Sequence, residues 1–416
     1  MKYYLSMLFI VTVFLLPWFI HKNPETSIDI ARYIGGVAVN LANVVLAHDP
    51  KTVEEIKNKF NDNNHATRVK VLIVPGHEPG FGGTENGGIK ERELVVQLGN
   101  ILAKYLRNNP QYEVHITRDN SNWNKEFDDY FKNNWDGIIA WLKASIQENK
   151  HLISTGQRQV NVPKVYHNKA KSGVAERLYG ITKWANENDI DITLHLHFND
   201  YPGRQDGDMG KYSGFSIYIP EKQYYNSSTT KYIADSIFKR VSRFNPVSDL
   251  KGESDGIIED ADLIAVGANN TANSASLLIE YGYIAEPQFN NIEVKDLVIK
   301  DLAFQTYMGL QDFFSSNIDK LQFYDTTILP YYFANNFTKD KYSRRDVLSL
   351  QTALMYENLY PPKDYDKNDC LRTGIFGPCT TRSLLDFQKK YNIKGEIGVG
   401  DRTRELLNKK FSIKVI

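Results

Sequence analysis

The run VKVLIVPG at residues 69–76 is apolar almost throughout and is stopped by Pro75-Gly76. A strand of this kind carries apolar side chains on both faces, so it belongs inside a sheet that is covered on both sides. ERELVVQLGNILAKYLRN follows, with Leu94, Leu98, Leu102 and Leu106 at helical spacing, and YEVHITR (112–118) reads as another strand. Strand, helix, strand in that order predicts an α/β fold with a mostly parallel sheet flanked by helices.

The same pattern continues. Helices are expected over 135–150, 174–189, 229–243 and about 294–314, and strands over 191–198, 214–220 and 276–282. Residues 120–171 are long for a connection inside a compact domain and read as a partly helical insertion. Residues 316–342 are aromatic and polar without a clear period, which suits a linker or packing strap. Beyond them, 343–416 form a separate small helical unit.

The N-terminus has a different character. Residues 3–20 carry no charge and would span about 27 Å as a helix, close to the hydrocarbon thickness of a bilayer. No small-x-small cleavage pattern follows, so residues 1–22 are expected to be a retained signal anchor, a transmembrane helix. Within 23–68, the stretch 27–47 is apolar with a narrow polar stripe of Asp29, Arg32, Gly36, Asn40 and Asn43, as in a helix lying in the membrane interface or against a protein surface. A polar stalk, 51–68, leads into the domain at 69.

Composition narrows the function. Lys plus Arg and Asp plus Glu are 50 each, so no bulk field favours nucleic acid, and no nucleic-acid partner is expected. With 42% hydrophobic and 24% charged residues the chain is neither disordered nor a polytopic membrane protein. The cysteines, Cys370 and Cys379, are too few for a four-thiolate zinc site. They flank LRTGIFGP in one module, and in an oxidising space they are expected to pair as a disulfide.

The chemistry gathers at strand ends. His77 follows one buried strand and His197 ends another, and carboxyl ends of strands are where open α/β sheets bind ligands. Imidazole suits zinc, and a catalytic zinc ion needs three protein ligands. Glu85, Glu91 and Glu93 all lie near enough in sequence to be the third. His195 shares the strand face of His197 and competes with it, and spacing alone does not choose between them. Glu280, in LLIEYG, is a carboxylate at a strand end in an apolar setting, suited to moving protons. Each has a structural alternative: a strand-end His is often a hydrogen-bond partner only, and Glu91 can serve merely as a favourable charge at a helix N-terminus.

Taken in order, VLIVPGHEPGFGG…IKERELVVQLGNILAKYL, VHITRD, AERLYGITKWANENDIDITLHLHFND and ASLLIEYGYIAEP resemble the motifs of the zinc-dependent N-acetylmuramoyl-L-alanine amidases of the type 3 family, over residues 69–315. The resemblance implies Zn2+ held by His77, Glu91 and His197, with Glu280 as the catalytic carboxylate. His195, Asn199 and Arg118 are then candidates for substrate contact or for support of the ligands. It also implies peptidoglycan as substrate and cleavage of the amide between N-acetylmuramic acid and L-alanine by zinc-activated water. A protein regulator acting on the groove is a further implied partner; 135–150 is the candidate for a helical lid, with a surface helix that pads the domain as the alternative. The chain departs from the family pattern at Val74-Pro75-Gly76, at Glu78, and at Ala285-Glu286-Pro287, where Ser-Asn-Pro is commoner.

The C-terminal unit is similar to the three-helix peptidoglycan-binding type 1 domain. Leu350-Gln351, Gly374-x-Phe376-Gly377, Thr380 or Thr381, Phe387-Gln388 and Gly398 through Thr403 carry that likeness. Together these features predict a membrane-anchored, extracytoplasmic enzyme of a bacterial cell envelope. Two other readings are a zinc peptidase acting on stem peptides and a non-catalytic peptidoglycan-binding scaffold.

Overall fold

The computed structural model describes residues 49–314, apart from 63, 65, 161 and 209, and residues 325–413. The expected membrane span and the 27–47 helix lie outside the described residues. Among those described, no helix is long and apolar enough to cross a membrane.

The centre is a six-stranded sheet in the order β4-β1-β5-β8-β6-β7. Its strands are β1 (Val69–Pro75), β4 (Tyr112–Ile116), β5 (Ile192–Asn199), β6 (Ser216–Pro220), β7 (Ile257–Asp260) and β8 (Ala275–Tyr283). β4, β1, β5 and β8 pair in parallel, as do β6 and β7, while β6 meets β8 antiparallel. A small hairpin, β2 (Glu85–Asn86) with β3 (Ile89–Lys90), precedes the first long helix.

The apolar character of β1 on both faces is accounted for by two helical layers. On one face, Val71 and Ile73 join a core with Leu94, Leu98 and Leu102 of α2 (Glu91–Arg107), Ile233 and Ile237 of α5 (Ser227–Phe244), and Val298 and Leu302 of α6 (Ile292–Phe314). Ile56 of the short α1 (Val53–Phe60), which starts with a Thr52/Glu55 capping box, adds to it. On the other face, Leu72 and Val74 pack with Phe127, Phe131 and Ile138 of α3 (Lys125–Ser154) and Ile181 and Trp184 of α4 (Val174–Glu187).

This second layer revises the expectation for 120–171. Its helix begins at Lys125 and runs for 30 residues, with a non-helical Asn134 inside it (φ −123°, ψ 15°). The expected start at 135 fell on the second segment because the break at Asn134 interrupts the apolar period. Through Phe127, Phe131 and Ile138 its N-terminal half is a packing layer on the sheet. The described residues of the remainder form neither helix nor strand; Val165 packs on the cluster of Tyr218, Ile258 and Leu278, and Lys164 and Val165 lie against Gly252.

The C-terminal unit has three helices, α7 (Arg344–Tyr356), α8 (Pro378–Lys390) and α9 (Asp401–Phe411), around Leu350, Leu354, Leu384, Phe387 and Leu407. Leu329, Phe333 and Phe337 of the expected linker fill the same core, while Ile328 joins the core of the larger domain. Cys370 and Cys379 form a disulfide with Cα atoms 5.8 Å apart. The unit is docked on the larger domain. Arg372, 5% exposed, donates to Asp301 of α6 at 2.6 Å, and Asp301 also accepts from Thr326 Oγ1 and the Thr327 amide. Asn368 Nδ2 donates to Ser213 O and Val247 O.

Candidate functional site

The site forms at the carboxyl ends of β1, β5 and β8. β1 ends at Pro75, and after Gly76 the chain turns: His77 has φ of 68°, a left-handed conformation uncommon for a residue with a side chain. The turn continues to the hairpin, and α2 starts at Glu91, whose first-turn position aims its carboxylate back at the strand ends. β5 delivers His197 opposite Glu280 of β8 in register, just before a shift in register between His197 and Asn199.

His77, Glu91 and His197 thereby bring one donor atom each within 4.8 Å of one another. Glu91 Oε1 lies 2.7 Å from His77 Nε2 and 3.1 Å from His197 Nδ1, and accepts from the Phe198 amide at 3.1 Å. Glu91 Oε2 accepts from the Thr84 amide at 3.0 Å. His77 Nε2 is buried yet makes no aligned hydrogen bond despite its closeness to Glu91, so it is an orphaned donor or ligand atom. Glycine is required on both sides of the cluster. A Cβ at Gly76 would sit 2.3 Å from the His197 ring, and one at Gly83, where φ is +79°, would meet His77 at 2.9 Å and Glu91 Oε2 at 3.1 Å. Two imidazoles and a carboxylate converging in a space cleared by glycines are a donor set that would suit a zinc ion.

The geometry resolves what spacing left open. Glu85 faces outward to Arg92 at 2.6 Å and Glu93 to Lys90 at 3.3 Å, whereas Glu91 is 3% exposed. His195 stands one step deeper on the same strand face, level with Val74 and Leu278, and does not join the cluster. Burial and the neighbouring His197 push it down to about 3, so it is neutral. Arg118 is buried and directs its guanidinium to the carbonyls of Pro75, Gly76, Arg92 and Asp119, which braces the turn beneath His77. Asn199 donates to Glu253 Oε1 at 2.8 Å.

Electrostatics separate the carboxylates. Burial works to raise Glu91, but His77 and His197 hold it far below the usual carboxylate range. Burial lowers His197 more than its contact with Glu91 raises it. Glu280 is raised well above the ordinary value by burial, then by Glu91 and Glu253, and its Oε2 is buried without a hydrogen-bond partner. Glu253 had no signal in the sequence: it sits in the polar stretch LKGESDG, which reads as an exposed loop. In the fold it is 1% exposed and accepts from Asn199, from Tyr218 Oη at 2.5 Å and from Tyr283 Oη at 3.0 Å, forming the wall beside Glu280.

Residues 71–311, more than half of the chain, match the family described as N-acetylmuramoyl-L-alanine amidase. The chain belongs to this family. As a member, it is an amidase, a hydrolase acting on peptidoglycan. Solved structures similar to this amidase include an N-acetylmuramoyl-L-alanine amidase from Clostridium difficile 630, 16% identical, covering 59% of this chain and 96% of that one with a TM-score of 0.37. Ami1 from Mycobacterium smegmatis is 14% identical over 60% of this chain and 98% of its own, with a TM-score of 0.39. The CwlD amidase from Clostridioides difficile, solved in complex with the GerS lipoprotein, is 15% identical over 60% and 100%, with a TM-score of 0.37. No curated protein matches the chain.

Proposed function

We propose that this amidase holds a zinc ion through His77, Glu91 and His197 and uses Glu280 to move protons while the amide between N-acetylmuramic acid and L-alanine is hydrolysed. The observation that carries this is the convergence of those three donors, with an orphaned His77 Nε2, next to a buried carboxylate that has a free oxygen. Zinc, when bound, polarises the scissile carbonyl and lowers the pKa of water at the open position toward about 7. The protein does the rest. Glu91 and the two imidazoles fix the donor set, Arg118 and the glycines hold the turn that presents it, and Glu280 accepts the proton of the attacking water. The elevated proton affinity of Glu280 suits it to pass that proton to the nitrogen of the leaving L-alanine.

The same reading assigns residues 343–416 to peptidoglycan binding and residues 1–22 to anchoring in a membrane, with the catalytic domain outside the cytoplasm. The Cys370–Cys379 disulfide supports an oxidising compartment. A protein regulator that acts on the groove belongs to this reading as well.

The test is zinc content and turnover of the full chain after metal-replete purification. The wild type is expected to carry zinc, His77→Ala to lose it, and Glu280→Gln to keep it while turnover falls by roughly 10^2 to 10^4. A wild type without zinc favours the non-catalytic scaffold; full turnover in Glu280→Gln removes Glu280 from the mechanism.

A further inference from the structure

The turn between the two N-terminal members of the cluster is built to be loose. Gly80, Gly82, Gly83, Gly87 and Gly88 all have positive φ between His77 and Glu91. Glycine at these positions permits the path but leaves the free turn with more conformational freedom than any other residue would. Something outside the turn must hold it if Glu91 is to present its carboxylate at a fixed angle.

The loop after β5 does so. Arg204, whose side chain is 2% exposed, forms a two-pronged pair with Asp200, Nε to Oδ1 at 2.7 Å and Nη2 to Oδ2 at 2.9 Å. The same guanidinium reaches the turn: Nη2 donates to Thr84 Oγ1 at 3.2 Å and to Glu85 O at 2.6 Å, and Nη1 donates to Asn86 Oδ1 at 2.8 Å. Thr84 Oγ1 in turn donates to Asp200 Oδ2. Thr84 is also the residue whose amide donates to Glu91 Oε2 and whose carbonyl accepts from the Glu91 amide at 3.0 Å. A continuous path of hydrogen bonds therefore runs from Arg204 through Asp200 and Thr84 to Glu91. Asp200 follows His197 by three positions on the same segment, so the path ties one cluster residue to another.

We infer that Asp200 and Arg204 are a positioning pair that fixes the Glu91 carboxylate through Thr84. This rests on the reading of His77, Glu91 and His197 as a metal site. The planar guanidinium suits the task, because its fork holds a carboxylate in one orientation and still has donors for the turn. With the pair in place, both oxygens of Glu91 are committed: Oε2 is held by Thr84, and Oε1 by Phe198 while facing the imidazoles. Without it, Thr84 is anchored only through its backbone and Glu91 samples other rotamers.

The experiment measures zinc affinity of the full chain in detergent by competition with a chelating dye, and the visible absorption of the Co2+-loaded chain. Arg204→Met and Thr84→Val are expected to bind zinc about 10- to 100-fold more weakly than wild type, the range found when partners that orient ligands are removed. Their Co2+ absorption is expected to change in position or intensity. Thr84→Ser keeps the hydroxyl and is expected to restore wild-type affinity and spectrum. Asp206→Asn is the control, because Asp206 fastens the same turn by accepting from the Gly87 amide at 2.6 Å and makes no hydrogen bond to Asp200, Arg204, Thr84 or Glu91. It is expected to leave both readouts unchanged. Wild-type zinc binding with unaltered Arg204→Met and Thr84→Val variants overturns the inference alone. An equal loss in Asp206→Asn also overturns it, since general fastening of the turn then suffices. A wild type that binds neither ion overturns the metal reading and this inference with it.

Discussion

Glu286 shows how far one residue departs from what its neighbours in sequence suggest. It follows β8, 5% exposed, and accepts from the amides of Gly214 at 2.8 Å and Tyr283 at 2.9 Å and from Gln288. Burial nevertheless outweighs those bonds and raises it to about 7 from 4.5. A carboxyl raised on folding contributes stability that is fully present below its unfolded pKa, near 4.5, and is lost as pH rises through about 7. The loss amounts to about 3 kcal/mol at most. Gln288 Oε1 has no partner, so its amide can reverse to accept from a glutamine at 286. Glu286→Gln is therefore expected to melt with wild type at pH 4 and above it at pH 8, and an unchanged difference between the two proteins at both values would remove the burial argument. The same scale explains which site residues were legible. Residue type and strand ends placed His77, His197 and Glu280 in the frame. Apart from the family resemblance, which pointed to Glu91 and His197, Glu91 was separated from Glu85 and Glu93 only by the path of a glycine-rich turn, and His197 from His195 only by depth along β5. Glu253 carried no sequence signal because its burial depends on Tyr218 and Tyr283, far away in the chain.

Among the elements, α3 departs furthest from its sequence reading. Its first turns, KEFDDYFKNN, are polar enough to pass for a connection, yet Phe127 is fully buried and meets Trp184 with ring centroids 4.6 Å apart. Together with α4, the helix supplies one side of the covering that the apolar faces of β1 demanded. That demand was readable from VKVLIVPG; which segment would meet it was not. Phe127→Ala is expected to cost about 3–5 kcal/mol in chemical denaturation, as for large-to-small changes in a packed core. A change below about 1 kcal/mol would mean that α3 covers nothing essential. Strands were easier to read than this helix, because a buried strand is a short unbroken apolar run while α3 is split at Asn134.

At the scale of the whole molecule, the amidase domain and the C-terminal helices are packed against each other. Leu348 of α7 sits in the core of the larger domain, and the Arg372–Asp301 pair is shielded at 2% and 0% side-chain exposure. Removing one partner of such a pair leaves the other charge buried, a cost of about 3–5 kcal/mol. Arg372→Met is accordingly expected to split a single calorimetric transition into two, with the C-terminal helices melting first. One unchanged transition would mean that the contact does not couple them. This docking was invisible in the sequence, where Arg372 reads as one more polar residue in the turn-rich LRTGIFGP segment.

Mass spectrometry of purified peptidoglycan incubated with the full chain in detergent and zinc tests the chemistry most directly. Hydrolysis at the site of His77, Glu91, His197 and Glu280 is expected to release intact stem peptides with a free L-alanine amino terminus and to leave glycan strands whose N-acetylmuramic acid is unsubstituted. Both products should disappear with Glu280→Gln. Fragments cut only within the peptide, or only within the glycan, would contradict this assignment of the site.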